Sequence, residues 1–217
     1  MKYSKINTLW KREDNKKGNI IEGEYSMLEF HNIKLWYVEE KIDSTNVRVI
    51  YTPDTLEFRG RTDNAKIHEQ GKLLEWLKEN ITISDLKKEF GDTEVILYGE
   101  GFDPKINTMW TDTGFVLFDI KIGKFWLTRD SVKDIAERLF LDTPPFLGVM
   151  NEEEITQYVK TEPYSKYIGD RYDMFYLSEG IVARPVNELF ARNGDRVIFK
   201  LKLSDYRKLN ISKPKTL

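Results

Sequence analysis

The sequence predicts an α+β fold, built of mainly antiparallel sheets flanked by helices. Three observations carry that expectation. Short runs rich in β-branched and aromatic residues recur along the chain, bounded by turn residues. Helical periodicities fall between groups of these runs rather than alternating with them one for one, which argues against a regular βαβ order. Finally, 217 residues that are 40% hydrophobic and 13% aromatic describe a globular chain able to bury a core without disulfide staples.

The elements follow in order. The first 24 residues are polar and lysine-rich and read as a basic arm or edge. Residues 33–39 and 47–51 read as strands, and 55–59 as a third behind the Pro53-Asp54 turn. Residues 65–80 have Ile67, Leu73, Leu74 and Leu77 near one helical face. A second helix, 84–90, is expected to be capped by Ser84 and closed by Gly91. Residues 94–98 and 115–122 are β-runs, the latter turning at Ile122-Gly123-Lys124 into 125–128. Residues 131–140 read as a helix behind Ser131 or Asp130. Residues 151–159 read as another, with Glu152, Glu153 and Glu154 where the helix dipole favours them. The last strands are 180–184 and 196–203, with Asn193-Gly194 joining 189–192 to the latter as a hairpin. The organisation expected is an arm (1–24), one main domain (25–205) and a basic tail (206–217).

Composition removes several chemistries. Without cysteine there are no disulfides, thiolate metal sites or cysteine nucleophiles, which fits a reducing compartment. His31 and His68 cannot supply a three-histidine zinc site, and His68 reads as a solvated helix residue. No apolar run approaches membrane length, and the charged N-terminus has no apolar segment behind it as a secretory signal would. No G-x-x-x-x-G-K loop is present, and Gly99-Glu100-Gly101 has a bulky acidic centre, so a phosphate-loop fold is not expected. The net charge of −2 is unevenly spread. Residues 1–20 carry +4 and residues 196–217 carry +6, leaving −12 for the middle.

Two features stand out as chemistry. Residues 39–46 form a polar cluster between two apolar strands, where a plain hairpin would use a short glycine-containing turn. Lys200 and Lys202 lie two apart, so a strand points both ammonium groups to one face, which on its own describes an exposed sheet face equally well.

In order along the chain, the polar segments resemble the motifs of the covalent nucleotidyltransferases: ATP-dependent RNA ligases, DNA ligases and mRNA capping enzymes. Lys41-Ile42-Asp43-Ser44-Thr45-Asn46 resembles the first motif, K-x-D-G-x-N, with Ser44 in the glycine position. Tyr98-Gly99-Glu100 resembles the third, and the aromatic run from Gly114 to Ile120 the strand called IIIa. Glu179-Gly180-Ile181-Val182 resembles the fourth, and Lys200-Leu201-Lys202 the fifth. Phe58-Arg59-Gly60-Arg61-Thr62 is similar to the phage type-2 RNA ligase branch.

The resemblance implies a nucleotidyltransferase (ATP-grasp-like) domain. It implies ATP as substrate, Mg²⁺ or Mn²⁺ as cofactor, and RNA with 5′-phosphate and 3′-hydroxyl ends as partner, with no membrane and no protein partner implied. A phage origin, a role in RNA repair and a cytoplasmic location come only by association with the same branch. Lys41 becomes the nucleophile that carries AMP, with Lys200 and Lys202 as catalytic cations on the phosphates. A free lysine has a pKa of about 10.4, so neighbouring positive charge or desolvation must make the amine nucleophilic. Glu40 is expected to read the purine edge, Phe118 and Val182 to cover the two faces of adenine, and Asn46 and Arg61 to hold ribose or phosphate. Glu100 contacts ribose and, with Glu179, a metal ion. Phe118 and Val182 also fit as plain core residues, and the two glutamates as members of a structural ion-pair network. Glycine at position 44 would permit a positive φ or close backbone approach, which serine tolerates less well. Only fifteen residues follow Lys202, too few for the OB-fold domain of DNA ligases and capping enzymes, which favours the RNA ligase reading. A DNA ligase or capping core, or a nucleotide-binding domain that joins no strands, stays open at this point.

Overall fold

A computed structural model describes residues 3–13, 18–63, 65, 67 and 71–212. The strands among them are β1 (Asn7–Thr8), β2 (Trp10–Arg12), β3 (Ile20–Tyr25), β4 (Trp36–Glu40), β5 (Thr45–Tyr51) and β6 (Leu56–Gly60). They continue as β7 (Val95–Phe102), β8 (Gly114–Ile122), β9 (Phe125–Trp126), β10 (Phe146–Met150), β11 (Gly180–Pro185) and β12 (Phe199–Lys202). The helices are α1 (Leu73–Asn80), α2 (Ile83–Phe90), α3 (Arg129–Arg138), α4 (Glu152–Lys160), α5 (Lys166–Tyr172) and α6 (Leu203–Ser212), with a 3-10 turn at Leu28–Asn32. The chain divides into two compact units, each with its own core. One holds Tyr3 and Asp43–Pro144, the other Ser4–Ile42 and Pro145–Leu217.

The first unit is an antiparallel five-stranded sheet in the order β6-β5-β7-β8-β9. Val47, Val49 and Tyr51 alternate along β5 into a core shared with Leu97, Leu117, Ile120 and the apolar faces of α1, α2 and α3. Residues 94–98 extend into a strand that runs on through Gly99-Glu100-Gly101, with a bulge between Tyr98 and Gly99. The glycine at 99 is a packing requirement: a Cβ there would lie 2.2 Å from the Phe115 ring and 2.5 Å from the Val116 carbonyl oxygen. Gly99→Ala should therefore destabilise the protein by about 1–3 kcal/mol through overpacking, read as a lower thermal midpoint. A midpoint equal to that of the parent would show that β8 yields freely.

Helix starts differ from the sequence reading. The α1 helix begins at Leu73, while Ala65 and Ile67 are non-helical; residues 66 and 68–70, His68 among them, lie outside the described residues. The α2 cap is Thr82, whose hydroxyl accepts from the Asp85 N–H, and not Ser84. The α3 cap is Thr128, accepting from the Ser131 N–H, and not Ser131 or Asp130. In both cases a threonine further upstream still reaches the third N–H of the helix, so the expected cap falls inside the first turn. Asn151 and Glu154 form the reciprocal capping box of α4.

The second unit has a five-stranded sheet in the order β1-β12-β11-β4-β10, antiparallel except for the β1–β12 pair, plus the β2–β3 ribbon. Within the stretch expected as an arm, residues 1–24, Leu9, Trp10 and Ile20 are buried against Trp36, Val38, Ile181 and Phe199. Within the expected tail, residues 206–217, the chain is helical as far as Ser212. Tyr206 is buried there and its hydroxyl accepts from the Trp10 indole at 3.0 Å. The run 196–203 narrows to β12, and Gly194, at φ 84, makes the tight turn next to a Phe190–Arg196 bridge. Strand β10 and helices α5 and α6 were not expected from the sequence. No described helix is long and apolar enough to cross a membrane.

Candidate active site

Strand order places the chemistry of the second unit. Strand β11 pairs antiparallel with β4 on one side and β12 on the other, so Ile181 faces Glu40, Gly180 faces Lys202 and Val182 faces Lys200. Lys41, the residue after β4, donates its backbone N–H to the Gly180 carbonyl at 2.9 Å. Glu179, just before β11, is thereby set beside two lysines. Its Oε2 lies 2.6 Å from Lys41 Nζ, and its Oε1 takes the ammonium of Lys202. Close strand approach at this point depends on Gly180, which sits at φ 148, where a Cβ would fall 2.1 Å from the Leu201 carbonyl oxygen.

The electrostatics follow from this crowding. Burial pushes the Glu179 carboxyl up, but Lys41 and Lys202 outweigh it and hold the group below its ordinary range. Lys200 has no carboxylate within ion-pair distance among the described residues. Burial first, then repulsion from Lys41 and Lys202, bring its ammonium down to about 8. Val182 is half-buried on β11. Glu40 is buried and its carboxyl is raised by that burial, even though it accepts from the Ser165 hydroxyl at 2.5 Å and the N–H groups of Lys166 and Tyr167 at 2.8 and 3.0 Å. Its carboxylate thus anchors the start of α5, a use that the sequence did not disclose.

In the first unit Asn46 lies on β5 opposite Glu100 on β7. The Asn46 side-chain oxygen is buried with no hydrogen-bond partner among the described residues, an acceptor that a ligand hydroxyl would satisfy. Glu100 is half-buried and accepts from the Ser44 hydroxyl at 3.2 Å. Ser44 is not among the non-glycine residues with positive φ, so serine in the motif's glycine position sits without backbone strain. Phe118 is half-buried on β8, edge-on to Tyr3 at 5.1 Å between ring centroids. Asp119 is buried and accepts from the Tyr3 hydroxyl at 2.6 Å, so the same tyrosine meets both residues; the bulge in the β7–β8 pairing breaks the alternation expected between 118 and 119. Arg61 is exposed just past β6. Two residues without a motif signal brace the loop after Lys41: the Trp110 indole donates to the Asp43 carbonyl at 3.1 Å, and the Asn107 amide to its carboxylate at 3.3 Å.

Lys41, Glu179, Lys200 and Lys202 therefore meet in the second unit, whereas Asn46, Glu100, Phe118 and Arg61 belong to the first. No cluster of three or more His, Asp or Glu suited to a metal exists among the described residues. Single carboxylates such as Glu100 and Glu179 fit only a hydrated ion like Mg²⁺, which keeps waters and takes phosphate oxygens from its substrate.

Comparison with known proteins agrees with this architecture. The chain is similar to a Naegleria gruberi RNA ligase mutant with ATP and Mn, at TM-score 0.64 and 17% identity, over 94% of this chain and 57% of that one. It is similar to the Naegleria gruberi RNA ligase with PPi, at TM-score 0.64 and 17% identity, over 95% and 58%. An archaeal ATP-dependent RNA ligase aligns at TM-score 0.59 and 14% identity, over 94% and 48%. The chain thus spans less than three fifths of the length of these structures, and the likeness establishes the fold. No curated protein sequence matches. The RNA ligase family profile matches residues 34–202, from the start of the β4 region to the last lysine of β12. With most of its length inside that match, the chain belongs to the RNA ligase family.

Proposed function

We propose that the chain is an ATP-dependent RNA ligase working through a lysyl-AMP intermediate at Lys41. The observation that carries this reading is the Lys41–Glu179–Lys202 bridge beside Lys200, an ammonium already brought down to about 8. Lys41 Nζ, having given up its proton, attacks the α-phosphorus of ATP. The bond to the β-phosphate oxygen breaks and pyrophosphate leaves. AMP then passes to a 5′-phosphate of RNA, breaking the P–N bond and freeing Lys41. A 3′-hydroxyl attacks the activated 5′-phosphorus, a phosphodiester forms and AMP departs.

Glu179 orients the Lys41 amine, while Lys200 and Lys202 neutralise phosphate oxygens as charge builds on the leaving group. A bound Mg²⁺ or Mn²⁺ supplies further neutralisation of the triphosphate, and Glu100 and Glu179 are the carboxylates proposed to hold it. Asn46 and Arg61 are assigned to ribose or phosphate, Glu100 also to ribose, Phe118 and Val182 to the adenine faces, and Glu40 to the purine edge. The ATP and manganese in the Naegleria structures support this nucleotide and metal use. A cytoplasmic setting and a part in RNA repair complete the reading.

Incubation with α-labelled ATP and Mg²⁺ should label the parent protein, and Lys41→Ala should carry no label. A label that survives Lys41→Ala, or is absent from the parent, overturns the reading; GTP labelling in place of ATP would mean a capping-type enzyme. Nicked and single-stranded 5′-phosphorylated RNA, beside a DNA control, then show which ends are sealed.

Lys200 also sets a pH dependence. Its folded pKa of about 8 lies below the ordinary lysine value, so between the two the unfolded chain binds more protons. Without ligand, stability due to this group rises with pH across that window. Phosphate binding has the opposite sign, since only the ammonium attracts it. ATP affinity should fall as pH rises through about 8, approaching tenfold per pH unit where this one proton dominates. Equilibrium binding from pH 6.5 to 9.5, compared with Lys200→Gln, checks this. An identical slope in the variant assigns the proton elsewhere.

A further inference from the structure

The two basic ends of the sequence, far apart along the chain, meet in the second unit. Strand β1 pairs in parallel with β12, Asn7 beside Phe199 and Thr8 beside Lys200, and α6 leaves directly from the end of β12. Between them lies an open cavity of about 500 Å³, lined by Lys5, Lys11 and Arg12 from the N-terminal segment and by Lys200, Lys202 and Lys208 from the C-terminal one. Six cations thus border one groove in a protein whose net charge is −2.

The six are differently held. Arg12 is pinned 2.7 Å from the buried Asp205, which fixes one wall. Among the described residues Lys11 pairs only with Glu24, exposed, at 3.7 Å. Lys5 and Lys208 are exposed and have no carboxylate partner among the described residues. Lys5 is close enough to Lys200 to help bring its ammonium down, so the rim and the Lys41 neighbourhood share one field. A groove of this kind has positive charge in excess of its own counter-charges and needs an anion that brings several.

We propose that this groove is a docking track for the phosphodiester backbone of an RNA strand, leading toward Lys200 and Lys202. The inference rests on the ligase reading for the identity of the strand, but its binding surface is independent of covalent chemistry at Lys41. Charge complementarity favours a strand over a compact polyphosphate. The outer cations are exposed, flexible and spread along the N-terminal segment and α6, as suits successive phosphates and not a single enclosed one. Among the described residues the one aromatic side chain lining it, Trp10, is buried with its indole N–H already donated to Tyr206, so these residues offer no base-stacking platform. Binding should therefore be indifferent to base sequence and strongly dependent on salt.

The test uses the full chain and a fluorescent 5′-phosphorylated single-stranded RNA, with Lys11→Gln/Lys208→Gln as the variant. Both residues are exposed, so the substitution leaves the cores intact. Anisotropy titrations at several salt concentrations should show affinity about tenfold weaker at 0.1 M salt. The slope of log K against log salt should be shallower by about 1.4, or about 0.7 for each lost phosphate contact. Lys41 labelling by ATP should be unchanged. Unaltered RNA affinity and slope would overturn the proposal. So would weaker ATP labelling with unchanged RNA affinity, which would make the groove a polyphosphate site. If the parent binds RNA with the expected dependence on these lysines yet takes no label, the ligase reading falls and the track stands. If the parent takes label but binds no RNA, the track falls and lysine adenylylation stands.

Discussion

Glu179→Gln should cut lysine adenylylation by about 10²–10³-fold, the range for losing one preorganised charge in a site of this kind. Both carboxylate oxygens are engaged, one by Lys41 and one by Lys202, and an amide can accept through only one of its two ends. Three ammonium groups would then share a partly buried space with their common counter-charge gone. Removing one partner of a fully buried ion pair costs about 3–5 kcal/mol. Here Glu179, Lys41 and Lys202 are 15–32% exposed, so about 2 kcal/mol is the expected loss. Two readouts separate chemistry from stability: the single-turnover labelling rate and the urea midpoint. Lys41 would lose its orienting contact, so slow labelling should persist at saturating ATP. Normal labelling with a lowered midpoint would reduce Glu179 to a structural counter-ion.

Gly180→Ala should be among the most damaging single-methyl additions in the second unit. The residue combines a φ of 148 with a Cβ position 2.1 Å from the Leu201 oxygen and 2.7 Å from the Lys202 Cα, all backbone atoms that cannot rotate away. Strained backbone and overpacking each cost about 1–3 kcal/mol, so a combined loss of about 3 kcal/mol or more is expected. In a domain of this size that amounts to about 6–12 °C in thermal midpoint. The same methyl pushes β11 off β12, the pairing that holds Glu179 beside Lys202, so labelling should fail in protein still folded at low temperature. A melting curve like the parent's would mean that β12 shifts without cost.

The parts of the fold legible in the sequence were those with strict local periodicity. Strand β5 alternates Val47, Val49 and Tyr51 inward, and α4 announces itself with Asn151 and three glutamates. Residues 7–25 misled because Leu9, Trp10 and Ile20 stand singly among lysines, and their burial comes from pairing with elements far along the chain. Strand β10 is half-exposed, with Gly148 at φ 143 and a bulge, so no alternation marks it. At the candidate site, motif order singled out Lys41, Glu179, Lys200 and Lys202, which the structure brings together, because residue type and strand position are written in sequence. Three contacts were not readable. Glu40 grips the start of α5 through residues more than a hundred positions away. Ser44 reaches Glu100 with an ordinary φ. Trp110 braces Asp43 from a loop without a motif.

The β1–β12 pairing also orders events during synthesis. The first unit is nearly contiguous in sequence, from Asp43 to Pro144, and its strands pair with close neighbours along the chain. It can close while the ribosome is still making the remainder. The sheet that carries Lys41 cannot: its edge strand at Asn7–Thr8 waits for Phe199–Lys202, the last of the described strands in chain order. The amines that would handle ATP are thus brought together only once β12 has been made, so a chain cut short before Phe199 would hold a folded first unit and an inert Lys41.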